Sequence, residues 1–212
     1  MLPHLIVLGA PGSGKGTQAL KLVDTLGYKH VSTGDLLRAE IKKGSELGQK
    51  VSSIIAKGDL VSDEIVLELL KNNCEVTKYS YIFDGFPRNT VQAAMLEDHL
   101  LKGTKKLAVY FKLDLDLLLQ RIVNRRSCPS CGEIYNLQSK KPAKDDTCDK
   151  CGAQGLVHRK DDNEDVVKNR LEVFRENNEP LLAFYKNAGV LAELDASLAE
   201  KDVFESLKSL LK

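Results

Sequence analysis

Short apolar runs alternate along the chain with stretches whose apolar residues recur every three or four positions. The segments 5–8, 29–31, 81–83, 107–113 and 190–194 predict five β-strands. Between the first two, Ala19, Leu20, Val23 and Leu26 share one helical face, and Gly27 ends the pattern. Leu47, Val51, Ile54 and Ile55 share another, which ends at Gly58. Ser62 is placed to cap the next helix, with Asp63 and Glu64 in the first turn, where the helix dipole favours acids. Val167, Leu171, Phe174, Leu181 and Leu182 predict a helix over 164–186, kinked at Pro180. Strand–helix alternation predicts an α/β fold with a parallel sheet covered on both faces. Such sheets bind ligands beyond the carboxyl ends of their strands.

Two segments break the alternation. Residues 33–61 insert two or more helices before the third strand, and residues 126–162 show no helical pattern but are rich in Cys, Gly, Lys and Asp. A loop that long in a compact domain is functional or disordered, and the cysteines favour function. Cys128-Pro129-Ser130-Cys131 and Cys148-Asp149-Lys150-Cys151 are separated by sixteen residues. This spacing suits a tetrahedral zinc ion on four thiolates, with Gly132 and Gly152 following each knuckle. Four protein ligands leave no open position, so the metal reads as structural. A redox dithiol or two disulfides are the competing readings. Cys74 stands alone.

Composition adds mostly exclusions. A chain of 212 residues fits one α/β domain with insertions. A net charge of +1 gives no bulk electrostatic reason to bind nucleic acid or membrane. No apolar run approaches the roughly 20 residues of a membrane helix. Residues 1–4 lead into the first strand without the features of a secretory signal. With reduced thiols, the expectation is a cytoplasmic protein.

The densest chemistry follows the first strand. Gly9 opens a Gly-x-x-x-x-Gly-Lys pattern ending at Gly14 and Lys15, and an amphipathic stretch follows. Strand, glycine-rich loop and helix are the grammar of a polyphosphate cradle: the loop turns its N–H groups inward and the helix adds its positive end. Lys15 is expected as an exposed loop cation facing the outer phosphates. The simplest pattern has Ser or Thr directly after the lysine, whereas Gly16 stands there and Thr17 comes next. Asp84 ends the run Tyr81-Ile82-Phe83, the position of an acid on the magnesium side; a helix cap or turn is its other reading. Arg38, Arg88, Arg121, Arg125, Arg159 and Arg170 stand near loops or the borders of the insertions, as phosphoryl transfer would want. No nucleophile–base pair is legible. His4, His30, His99 and His158 read as packing or surface residues. If the acceptor is itself a phosphate, already ionised, no base is needed.

In order and spacing, residues 9–18 (GAPGSGKGTQ), 32–35 (STGD), 84–88 (DGFPR) with Gln92, 121–126 (RIVNRR), 159–163 (RKDDN) and 169–172 (NRLE) resemble the adenylate kinase family, in its bacterial form with a long zinc-bearing lid. In that family Gly16-Thr17 is the rule. The resemblance implies a P-loop kinase fold with a five-stranded parallel sheet flanked by helices. It also implies a core at 1–31, 62–125 and 163–212, a helical AMP-binding domain at 32–61 and a zinc lid at 126–162. The implied reaction is ATP + AMP ⇌ 2 ADP with Mg2+, in a monomer. For ATP it implies Gly12, Ser13, Gly14, Lys15, Gly16, Thr17, Arg121 and Arg125, with Ile134, Tyr135 and Leu198 toward its base and ribose. For AMP it implies Thr33, Arg38, Gly85, Arg88 and Gln92, with the backbone of Asp59, Leu60 and Val61. Arg159 and Arg170 would clamp the moving phosphoryl group. Asp161 and Asp162 would be lid-hinge or lid-closing acids, Asp84 would stand behind the magnesium's water, and Pro87 would follow a cis peptide. Cys128, Cys131, Cys148 and Cys151 would hold Zn2+. A UMP or CMP kinase would share fold and mechanism, though Gln92 and the long lid favour AMP. A P-loop ATPase reaching nucleic acid through its zinc site is the rival from another class, and the neutral charge argues against it.

Overall fold

The computed structural model describes residues 2–114 and 118–211. The expected core limits include positions 1, 115–117 and 212, which lie outside the described residues. Strand β1 (His4–Leu8) is buried along its whole length and lies at the centre of the sheet. It pairs in parallel with β3 (Tyr81–Asp84) on one side and β4 (Lys106–Lys112) on the other. Outside these lie β2 (Lys29–Ser32) and β7 (Leu191–Asp195), giving the order β2-β3-β1-β4-β7, all parallel. Each of the five expected strands is present, to within one residue at either end.

Side chains alternate across the sheet with period two, and each face has its own core. Leu5, Val7, Ile82, Val109 and Phe111 pack with Leu22 of α1 (Lys15–Leu26) and Leu207 of α8 (Glu200–Ser209). Ile6, Leu8, Phe83 and Ala108 pack on the other face with Leu70 of α4 (Asp63–Asn73) and Leu96 of α5 (Thr90–Leu96). A fully buried leucine of this kind contributes about 1.5–3 kcal/mol. Helix α7 (Glu164–Asn187) serves both cores: Val167 and Leu171 belong to the first, Leu181 and Tyr185 to the second. The helix continues through Pro180, which removes one donor from the ladder without ending it. Ser62 precedes α4 as expected, yet its side chain makes no capping bond.

The first insertion is α2 (Thr33–Lys43) and α3 (Glu46–Lys57), capped by Ser32 and Ser45. After α6 (Leu118–Val123), the second is built on an antiparallel pair, β5 (Arg125–Ser127) with β6 (Ile134–Asn136), and returns through a 3-10 turn at Lys160–Asp162. None of the described helices is long and apolar enough to cross a membrane.

Candidate active site

The sheet reverses its winding direction at β1, and the strand ends there open onto a cavity of about 990 Å3. Loops after β1, β3 and β7 line it, together with the end of β2, α2, the end of α3, α7 and the 126–162 segment. Every residue that the resemblance assigns to a nucleotide, from Gly12 to Leu198, lies along this cavity.

Beyond β1 the loop winds tightly and ends at Lys15, the first residue of α1. A Cβ at Gly12 would meet Ile122 Cγ1 at 2.7 Å, so only glycine lets the loop lie against α6. The free N–H groups of the helix start then face the cavity. Lys15 is not the exposed loop cation expected. It is half-buried, and its Nζ donates to the carbonyls of Gly9 at 2.7 Å and Ala10 at 2.8 Å and to Ser13 Oγ at 3.3 Å. Burial pushes its pKa down to about 8; Asp84 opposes this, and Arg88, Arg170 and Arg125 add to it.

Asp84 closes β3. Burial favours its neutral form, but the hydrogen bond and charge of His30, with Lys15 and Arg88, outweigh burial and hold its pKa at about 2. His30 Nε2 lies 3.3 Å from Asp84 Oδ2. His30 was expected as a packing or surface residue and is instead a neighbour in the site. Ser32 pairs with Asp84 in register, so alternation along β2 turns His30 to the same face, a signal that needs the strand pairing to read.

After Asp84 the chain bends at Gly85, whose φ is +84° and where a Cβ would meet Thr33 Oγ1 at 2.7 Å. The Phe86–Pro87 peptide is cis, as expected. Arg88 Nε donates to Gly85 O at 2.8 Å, and the guanidinium stands in the open cavity. Gln92 is buried; its Oε1 accepts from Arg88 N and its Nε2 donates to Asp63 Oδ1, both at 2.7 Å. Asp59 turns its carboxylate to Asn169 of α7, at 2.9 Å.

The remaining arginines meet a small acidic group. Arg125 grips Asp162 with two bonds, 2.8 and 2.5 Å, and Asp162 is fully buried. Arg170 Nη1 reaches Asp161 at 3.0 Å and Asp162 at 3.3 Å. Arg38 bonds Asp35 at 2.6 Å and lies 3.6 Å from Asp161; Arg159 lies 3.5 Å from Asp35. Burial and then neighbouring arginines bring Arg159 and Arg170 down to about 10, though both stay charged at neutral pH. Arg125 is raised: burial works against its charge, but Asp162 prevails. Among the described residues, Lys15 and five arginines thus face Asp35, Asp84, Asp161 and Asp162. The surplus of positive charge, partly desolvated, suits a multiply charged anion. Arg121 stands in the last turn of α6, beside the second insertion, and Arg170 in the second turn of α7 after it; Arg121 lines the cavity and forms no ion pair with a described carboxylate.

Ile134 Cδ1 would sit 3.2 Å from a Cβ at Gly16, so β6 roofs the glycine loop. Tyr135 follows on the same strand and also borders the cavity. Its ring is buried in the core of the 126–162 segment, its hydroxyl donating to Cys148 Sγ and accepting from Asp149 N. Only its backbone is free to serve a nucleotide. The two knuckles fold alike: Gly132 N donates to Cys128 O, and Gly152 N to Cys148 O. Sγ atoms of Cys128, Cys131, Cys148 and Cys151 all lie within 4.8 Å of one another. Zn–S bonds of 2.3 Å would set sulfurs about 3.8 Å apart in a tetrahedron, so the four thiols fit zinc.

The family model described as adenylate kinase matches residues 7–190. Similar curated proteins named adenylate kinase include that of Bacillus pumilus (strain SAFR-032), 43% identical over 98% of this chain and 97% of its own length. That of Hydrogenobaculum sp. (strain Y04AAS1) is also 43% identical, over 98% and 99%. That of Thermodesulfovibrio yellowstonii is 40% identical over 99% of both. With motifs, sheet and cavity in agreement over nearly its whole length, the chain belongs to the adenylate kinase family.

Proposed function

We propose that the cavity transfers the terminal phosphoryl group of ATP to AMP, giving two ADP. The observation that carries this reading is the surplus of cations where the glycine loop meets the β3 and α2 side within one cavity. ATP would lie on residues 12–17 under Ile134, with Arg121 and Arg125 on its phosphates and the backbones of Tyr135 and Leu198 toward its base. AMP would lie between Thr33, Arg38, Gly85, Arg88 and Gln92, with the backbone of residues 59–61 along its base. The two phosphates would then meet among Lys15, Arg88, Arg159 and Arg170, which stabilise the charge spread over the moving group. The acceptor oxygen is already ionised, so no general base is required.

Mg2+ fits beside the glycine loop, where Asp84 is kept ionised and Thr17 offers a hydroxyl. Bound with ATP, it would neutralise charge on the outer phosphates. Zn2+ would be structural, held by the four cysteines of a lid at 126–162. The lid and the α2–α3 insert meet through Arg38–Asp161 and Arg159–Asp35. Closing them over both substrates would exclude water, which otherwise competes for the phosphoryl group. A coupled assay with ATP and AMP, UMP, CMP and GMP in turn, with and without Mg2+, tests the reading. Turnover should require AMP and Mg2+ together. Hydrolysis of ATP without an acceptor, or a preference for a pyrimidine monophosphate, would overturn it.

A further inference from the structure

The Gln92 amide is bonded at both ends, and the two partners have opposite character. Arg88 N–H can only donate, and the Asp63 carboxylate can only accept. Turning the amide over would set two donors against each other at Arg88 and two acceptors against each other at Asp63. Its orientation is therefore fixed by chemistry. Each end keeps one position unused: a second N–H on Nε2 and a second lone pair on Oε1, in a buried side chain that lines the cavity. Asp63 sits at the start of α4, half-buried, and is not itself part of the cavity lining.

We propose that Asp63 is a specificity-determining residue that acts through Gln92, holding the amide in the one orientation that accepts a 6-amino purine and refuses a 6-oxo purine. The inference rests on the reading of Gln92 as the residue that faces the AMP base. Adenine offers an acceptor at N1 and a donor at its 6-amino group. A 6-oxo purine offers a donor at N1 and an acceptor at O6. An amide free to turn over would match either edge equally well. The pinned amide matches adenine only, and a mismatched buried polar pair is heavily penalised.

The probe is inosine monophosphate. It differs from AMP at N1 and C6 and carries no 2-amino group that could clash. Asp63→Asn removes the charge yet keeps size and helix-start geometry, and its own amide can present either a donor or an acceptor. The kcat/KM preference for AMP over inosine monophosphate should fall about tenfold, the difference between a charged and a neutral partner. KM for ATP should stay unchanged, because nothing on that side moves. Gln92→Leu, measured in parallel, should collapse the preference further. If Asp63→Asn leaves the preference intact while Gln92→Leu collapses it, the role of Asp63 is wrong and the reading of Gln92 stands. If neither variant changes it, Gln92 does not read the base. Equal losses for both nucleotides in Asp63→Asn would mark Asp63 as merely structural and overturn the proposal. The unmodified enzyme gives a further check. Purine riboside monophosphate, which keeps the N1 acceptor and lacks the 6-amino group, should bind between AMP and inosine monophosphate. If inosine monophosphate binds as well as the riboside, the amide is not pinned.

Discussion

Lys15 is held by three oxygens of its own loop and is also pressed by three arginines, so its charge is stabilised only partly. With a folded pKa of about 8, below the ordinary lysine value of 10.5, the charged form is disfavoured in the fold. Stability from this group should therefore rise with pH between about 8 and 10.5. An arriving polyphosphate reverses the balance and pulls the proton back. ATP binding near pH 8.5 should take up most of about one proton, read by calorimetry in buffers of different ionisation enthalpy. Lys15→Met should abolish this uptake and lower turnover about a hundredfold, roughly 3 kcal/mol of lost charge stabilisation. Uptake that persists in the variant would move the effect elsewhere. Arg88 and Arg125 should fail differently. The Arg88 side chain bonds only a carbonyl, and its backbone bond to Gln92 survives truncation, so Arg88→Ala should weaken AMP binding and turnover and leave the melting temperature nearly unchanged. Arg125→Ala strips a partner from the fully buried Asp162 and should also destabilise the fold by about 3 kcal/mol, seen as a lower thermal midpoint.

At the scale of elements, the parallel sheet is open to reading because four of its five strands carry short apolar runs between helical patterns; β2, Lys-His-Val-Ser, has a single buried valine. The glycine loop, Asp84 and the cysteine knuckles were legible for the same local reason: their chemistry is written in spacing. Contacts between distant segments were not. His30 joins the site through β2–β3 pairing, and Tyr135 borders the cavity while its ring packs among the sulfurs of the 126–162 segment. Lys15 reads as exposed from its loop position alone, because its burial and the arginines that press on it from the loop after β3, from β5 and from α7 come from distant segments. The 126–162 segment shows how little else it has to fold around. Its buried apolar residues are Tyr135, Cys128 and Cys148, with Cys131, Ala153 and Leu156 packed against them. One zinc per chain should be found by elemental analysis of reduced protein. Cys148→Ser should lose it and speed amide hydrogen exchange within 126–162 while the sheet stays protected. Uniform loss of protection across the chain, or none, would contradict a local structural role.

Across the whole molecule, an exposed ion pair links the second knuckle to the core. Lys150, between Cys148 and Cys151, donates to Asp24 near the end of α1 at 2.7 Å. In water such a pair adds little stability. Its ammonium and carboxylate nevertheless stand at the separation from which a carbodiimide makes an amide without a spacer. That bond would close a covalent ring through α1, the sheet and the sulfur cluster, and would tie the 126–162 segment to the core. Treated protein should give a tryptic peptide joining positions 24 and 150, absent from Asp24→Asn. If product leaves only through an opened lid, the joined fraction should still bind nucleotide trapped before treatment and should turn over no further. Full activity in the joined fraction would mean that product has another way out.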